Sequence, residues 1–544
     1  MPPALFLSSH PFFEDGAING RKQANAGFMR ALLAADPFDQ YHFFVNDPVA
    51  LEAQWGRLPQ LAALRRGAAR ALPRGELLGA LAKNAYAVCH LSDPVDDYVR
   101  MAVARNRLAP RIFALTAPNH TLSYARYAPA MLAYAWDGWT SRDALGCNST
   151  SAREVLRRWF GVIGARQPSR LPRLSVMPMG ADPRGVVDAA LSRCAMREHL
   201  GLAEADVLLL LFGRLSAVDK MDPLPLLLAM RRARELCPQQ DIALAVSGAA
   251  PDSDPVFTIM PILAQRFGLA VHMLPNPTEE QRDGLFAAAD IFVSPSDNIQ
   301  ETFGLTLVEA FAAGLPVIAS DWDGYRDIVE HMVTGLLVPT LAPADTPLLD
   351  MQTMLLFDNQ YHLLRGQSTC VDVPALAEAI ALLAGDSTLR RRMGAAGRER
   401  VQRHFSWNAA VQRWVALWAE LCNRPVDSAT EDRMRAARHP RFLPFGAMFA
   451  PFASGHLADD DRLSLTGMGS LLLHRELPWE SFAAFRFGFP EEEIRPLLVR
   501  ARKPVAVRQL REGSRLDAEL FERYALWCLK HDLLARVPAD SSAG

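Results

Sequence analysis

The sequence contains no C-x-x-C pair, and its seven cysteines (Cys89, Cys147, Cys194, Cys237, Cys370, Cys422 and Cys528) are scattered along 544 residues. That spacing argues against a zinc site or a disulfide framework and fits buried thiols in a reducing compartment. No uninterrupted apolar run reaches the roughly 18 residues of a membrane-spanning helix. The opening stretch MPPALFLSS lacks the charged start and the length of a secretory signal. There is no excess of one charge: 58 Lys and Arg stand against 60 Asp and Glu, a net charge of −2, so nothing marks a nucleic-acid binder. A cytoplasmic protein is expected, with peripheral contact at the inner face of the membrane as an additional expectation. What is abundant is hydrophobic residue, half of the composition, enough for sizeable cores. The length suits about three domains.

Short apolar runs alternate with helical patterns in two series. ALFLSS (4–9), YHFFVN (41–46), AYAVCHLS (85–92), RIFALTAP (111–118) and LSVMPMG (174–180) read as buried strands. The second series is VLLLLFGRL (207–215), IALAVSG (242–248), LAVHML (269–274), IFVSPS (291–296), PVIASD (316–321) and GLLVP (335–339). Near-continuous apolar strands between helices imply parallel sheets covered on both faces. The expected class is α/β, with two doubly wound, Rossmann-like domains facing across a cleft and a mainly helical C-terminal extension. The expected boundaries are 1–195, 196–422 and 423–544. Residues 340–372 read as an irregular insertion, and 404–422 as an amphipathic helix capped by Ser406 that closes the second domain. Residues 55–83 read as a basic amphipathic helix, through Arg57, Arg65, Arg66, Arg70, Arg74 and Lys83. The aromatic stretch HPRFLPFGAMFAPF (439–452) is too apolar to stand in water, so the tail is expected to be folded and docked, either on the catalytic lobes or on a partner protein.

Chemistry concentrates in SPSDNIQETFGLTLVEAFAAGLPVIASD (294–321). Ligands of open α/β sheets bind at the carboxyl ends of strands, where this stretch turns into a helix. Gly304 lets the backbone approach a ligand, and the free N–H groups of Gly304, Leu305 and Thr306 suit a phosphate. Glu301, before the helix, suits the hydroxyls of a sugar; Glu309, inside it, suits a ribose diol, because a carboxylate has two acceptor oxygens. The loop FGRLSAVDKMDP (212–223) supplies Arg214 and Lys220, fixed cations for a diphosphate leaving group. Each residue alone has a plain alternative, a satisfied helix carboxylate or a solvated cation; the combination favours a site.

The second domain resembles the retaining glycosyltransferases of family four, which have a GT-B fold. The family's spaced glutamates stand here in ETFGLTLVEAFAAGLPV, its G-R-L…K loop as Gly213, Arg214 and Lys220, its domain-junction P-x-G-x-D as Pro178, Gly180 and Asp182, and its F-S-W helix at Phe405–Trp407. The resemblance covers roughly 1–422. It implies donor-phosphate contact at Asn19-Gly20, where the family has two glycines, and donor-sugar contact at His120. His90 is a weaker candidate on the acceptor side, and the family's G-G-x-x-E is altered to DGYRD (323–327). It further implies sugar transfer to an acceptor hydroxyl with retention and without a metal. The expected donor is a UDP-linked sugar, with no cofactor besides. The acceptor is a glycan, a lipid-linked group or a protein, in cell-surface glycan or glycoconjugate synthesis. Two rivals are a silent GT-B scaffold whose tail binds a partner, against which the complete set Glu301, Glu309, Arg214 and Lys220 argues, and a GT-B sugar-nucleotide epimerase, disfavoured by the glutamate pair and its Gly-Leu-Thr surroundings.

Overall fold

The computed structural model describes residues 4–13, 20–95, 97–163, 171–181, 189–250, 255–355, 358–482 and 488–537. The chain divides into two compact units, Met1–Arg441 and Phe442–Gly544. The first holds two parallel sheets. The N-terminal sheet is built from β1 (Leu5–Ser8), β2 (Gln40–Val45), β3 (Ala69–Pro73), β4 (Val88–His90), β5 (Ala114–Pro118), β6 (Asp143–Cys147) and β7 (Arg173–Val176), in the order β3-β2-β1-β4-β5-β6-β7. The second is built from β8 (Val207–Phe212), β9 (Ile242–Gly248), β10 (Ala270–Pro275), β11 (Ile291–Ser294), β12 (Val317–Ser320) and β13 (Gly335–Val338), in the order β10-β9-β8-β11-β12-β13. Both orders reverse beside their first strand, which opens a crevice at the strands' carboxyl ends.

All six strands expected in the second sheet are present, because each is a continuous apolar run. In the first sheet two strands escape the pattern. β3 lies inside the stretch read as one basic helix; that stretch is instead the end of helix Pro48–Trp55, a helical turn Ala62–Arg65, the edge strand β3 and helix Leu77–Lys83. Edge strands tolerate Arg and Pro, which blunt their exposed side. β6 begins with Asp143, whose carboxylate is fully buried against Arg105, with Nη2 3.1 Å from Oδ2.

Helix Trp407–Asn423, capped by the Ser406 hydroxyl, packs on the N-terminal sheet rather than closing the second one. Trp414, Trp418 and Leu421 join Phe6, Phe28 and Tyr41 in its core. The chain stays on this lobe through helix Ser428–Ala436: Met434 is buried, Arg435 donates to the Asn106 and Ala109 carbonyls at 3.0 and 3.1 Å, and His439 donates to the Ala133 carbonyl at 2.7 Å. The insertion after β13 folds as helices Pro347–Gln352 and Asp358–Gln367 on a ribbon pairing Thr340–Leu341 with Cys370–Val371.

The second unit is mainly helical around a small antiparallel sheet of Val505–Ala506, Arg462–Leu465 and Leu534–Val537. Leu463, Trp479, Leu498, Phe521 and Trp527 fill its core. The tail is thus folded, and Leu443, Phe445, Met448, Phe449 and Phe452 stand exposed in it.

Candidate functional site

β8 ends at Phe212, and the loop that follows carries Gly213, Arg214 and Lys220 to the crevice. Lys220 is only 7% exposed. Its ammonium is ion-paired with the Glu301 carboxylate, which sits in the loop after β11. Burial works against both charges, and each overcomes it for the other: Lys220 is held above its ordinary range by Glu301 and Tyr325, and Glu301 below the usual range by Lys220. Arg214 is paired with Asp219 and reaches the Gln300 side-chain carbonyl at 3.4 Å. Each predicted cation therefore already holds a carboxylate of the protein.

The helix Leu305–Ala313 starts at Gly304, which has φ +110° and ψ +55°. A Cβ there would lie 2.5 Å from the Tyr325 ring, so a glycine is required on both counts. Tyr325 is fully buried, and its hydroxyl lies 2.8 Å from Ser294 Oγ and 3.4 Å from Lys220 Nζ. Burial raises its pKa to about 12, so it remains a neutral phenol beside the lysine. Thr306 Oγ1 is buried with no hydrogen-bond partner among the described residues. Glu309 pairs with Arg282 at 3.0 Å, and that guanidinium lies over the rings of Phe212 and Phe286.

The N-terminal lobe supplies the opposite wall. His120 Nε2 donates to the Ser92 carbonyl at 2.9 Å, while the Ser92 N–H donates to His10 Nδ1 at 2.9 Å. With Nδ1 accepting, His10 carries its proton on Nε2, which faces Asp97 at 3.3 Å. Burial opposes the Asp97 charge, but His10 and Arg74 hold this carboxyl well below its usual range. The walls meet beside Glu301: Thr302 Oγ1 donates to the His120 carbonyl at 2.6 Å and accepts from Asn148 Nδ2 at 2.8 Å. Asp327 accepts the Thr150 N–H at the start of helix Thr150–Val162.

The structure thus brings together Lys220, Glu301, Arg214, Gly213, Gly304, Leu305, Thr306 and the backbone of His120. Glu309 stands one turn deeper, on Arg282. Gly20 opens helix Gly20–Ala35, and a Cβ there would meet nothing within 4 Å; its neighbour Asn19 and the junction residue Asp182 lie outside the described residues. His90 does not line the acceptor side: it is fully buried 4.5 Å from the Trp414 ring, and burial lowers its pKa to about 3. Tyr325, His10 and Asp97 went unnoticed in the sequence. Only the position of His10, just past an apolar strand, was a usable signal. Among the described residues, no group of three or more His, Cys, Asp or Glu side chains is arranged to hold a metal ion.

The family of glycosyl transferases group 1 matches residues 193–346. A D-inositol 3-phosphate glycosyltransferase of Xylanimonas cellulosilytica is 28% identical over 288 residues, 52% of this chain and 58% of that protein. A GDP-mannose-dependent alpha-mannosyltransferase of Mycolicibacterium smegmatis is 29% identical over 307 residues, 54% of this chain and 71% of that protein. The chain spans about half the length of several of the curated inositol 3-phosphate glycosyltransferases it matches. Among solved structures, Anabaena Alr3699/HepE superposes with a TM-score of 0.51 at 16% identity, over 77% of this chain and 99% of that one. A glycosyltransferase from Rickettsia africae gives 0.53 at 14%, over 78% and 100%. Residues 193–346 are a glycosyl transferases group 1 domain, and the unit Met1–Arg441 carries it in a GT-B fold.

Proposed function

We propose that the chain transfers a sugar from a nucleoside-diphosphate donor to an acceptor hydroxyl, with retention at the anomeric carbon, in the synthesis of a cell-surface glycan or glycoconjugate. The observation that carries this reading is the convergence of Lys220, Glu301 and the helix start at Gly304–Thr306 on one end of the crevice, with the Thr306 hydroxyl unpartnered among the described residues. The diphosphate occupies the N–H groups at that helix start, where the helix dipole favours an anion. Lys220 and Arg214 neutralise the charge that develops as the bond from C1 to the phosphate oxygen breaks. The acceptor oxygen bonds to C1 on the same face, and its proton passes to the departing phosphate oxygen. Glu309 takes the ribose diol, and Glu301, fixed by Lys220, orients the sugar. The donor is a UDP-linked sugar, with GDP-mannose the competitor to test in view of the mannosyltransferase relative.

Calorimetry with UDP and GDP, followed by incubation with α-linked UDP-glucose, UDP-N-acetylglucosamine and GDP-mannose, tests the reading. Nuclear magnetic resonance of the released or transferred sugar gives its anomeric configuration. An α product is expected. A β product overturns retention, and failure to bind either nucleotide or to turn over any donor returns the silent-scaffold reading.

A further inference from the structure

Residues 442–453, FLPFGAMFAPFA, contain no ionisable group and no side chain that forms hydrogen bonds. Leu443, Phe445, Met448, Phe449 and Phe452 are each between 46% and 84% exposed. They are not scattered. Phe445 and Phe449 stack one helical turn apart with centroids 6.0 Å apart, and Phe452 meets Phe449 edge-on at 5.1 Å, so the rings form one contiguous apolar cluster. Exposed clusters of this kind mark interaction surfaces. The adjoining sequence gives the charge of the partner: Arg438 and Arg441 precede the segment, and from Arg433 to Ala458 there is no Asp or Glu, while Arg433 and Arg435 are engaged with the Asp137 carbonyl and with Glu431. Arg438 and Arg441 are exposed.

We propose that this segment seats the protein on an anionic lipid bilayer, with the phenylalanine cluster in the boundary between headgroups and acyl chains. The segment's side chains offer no directional polar contact, so they suit a fluid apolar phase better than a protein groove, where polar groups supply orientation. Exposed arginines such as Arg438 and Arg441 are drawn to anionic headgroups. The proposal is independent of the sugar-transfer chemistry and of the basic stretch 55–83, whose reading as one amphipathic helix the fold has overturned.

The test is co-sedimentation of the full chain with vesicles of phosphatidylcholine, alone or with roughly 30% phosphatidylglycerol. Binding is expected on the anionic vesicles and at least about tenfold weaker on the neutral ones. The triple variant Phe445→Ser, Phe449→Ser, Phe452→Ser should bind anionic vesicles about tenfold more weakly with an unchanged thermal transition, because the replaced rings touch no core. Arg438→Gln with Arg441→Gln should weaken binding and reduce its salt dependence. No vesicle binding, or a triple variant that binds like wild type, overturns the proposal; the second outcome would assign adsorption to another basic surface, and the first leaves a protein partner as the ligand of the cluster.

Discussion

At the residue scale the site is held by a chain of contacts that the motif alone does not show. Tyr325 links Lys220 to Ser294 and fills the space over Gly304. Lys220→Ala should cut turnover by about two orders of magnitude, roughly 3 kcal/mol of leaving-group stabilisation. Tyr325→Phe keeps the ring and loses only the hydroxyl, a positioning contact, so about a tenfold loss in kcat is expected with donor KM little changed. Initial rates at saturating donor separate the two; equal rates for the Phe variant and wild type would remove Tyr325 from the machinery. Asp323 gives a second prediction. It stands at φ +39° where the family pattern has glycine, and burial, with Glu301 close by, raises its pKa to about 8. A carboxyl whose folded pKa lies above its unfolded value favours folding while it keeps its proton, and that advantage is lost as pH rises from about 4 toward 8. Asp323→Gly relieves both the backbone and the carboxylate, so thermal melts should show it stabilised at pH 8 and much less so at pH 5. A pH-independent effect would leave only the backbone as the cause. The glutamates, the lysine and the arginine were legible because their spacing is linear in the sequence. Tyr325, His10 and Asp97 were not, because their roles come from partners on other elements.

At the element scale, helix Leu305–Ala313, whose first N–H groups are proposed to take the diphosphate, depends on its neighbour. In helix Ser387–Arg400, a Cβ on Gly394 would lie 2.0 Å from the Gly314 carbonyl and one on Gly397 2.4 Å from the Phe311 ring. The two helices are in contact at a distance only glycine permits. Gly397→Val should destabilise by about 2–3 kcal/mol through overpacking, with weaker nucleotide binding expected because Phe311 belongs to the helix proposed to take the diphosphate. Gly79→Ala, in helix Leu77–Lys83 with nothing within 4 Å, should be neutral or stabilising by up to about 1 kcal/mol. Denaturant midpoints for the pair provide the check; a Gly397→Val variant as stable as wild type would show that the contact with Phe311 does not constrain this position. The same scale explains what the sequence hid. The strands of the second sheet read as apolar runs and are all present, the half-buried edge strand β10 included. β3, at an edge, carries Arg70 and Pro73, and β6 opens with a carboxylate that only its distant partner Arg105 makes tolerable.

At the scale of the whole molecule, the boundary after the first unit lies at Arg441 rather than near residue 422, because the segment beyond Asn423 is tied to the N-terminal lobe by Met434, Arg435 and His439. A chain ending after Arg441 should keep nucleotide affinity and a single cooperative melt, whereas one ending at Asn423 should lose at least about 2 kcal/mol by uncovering that surface. Residues 442–544 alone should show their own cooperative transition, given the core around Trp479 and Trp527. Equal stability of the two truncated chains would place the boundary earlier. The return of the chain to its first lobe has a further consequence, for synthesis. Phe6 packs on Trp418, so β1 waits for a helix made about 400 residues after it. At about 5–20 residues per second that wait is on the order of half a minute or more. The second lobe, continuous from about residue 193 to 400, can close in the meantime. The lobe made first is therefore finished last, and during translation its unfinished aromatic core is the surface on which a chaperone would act.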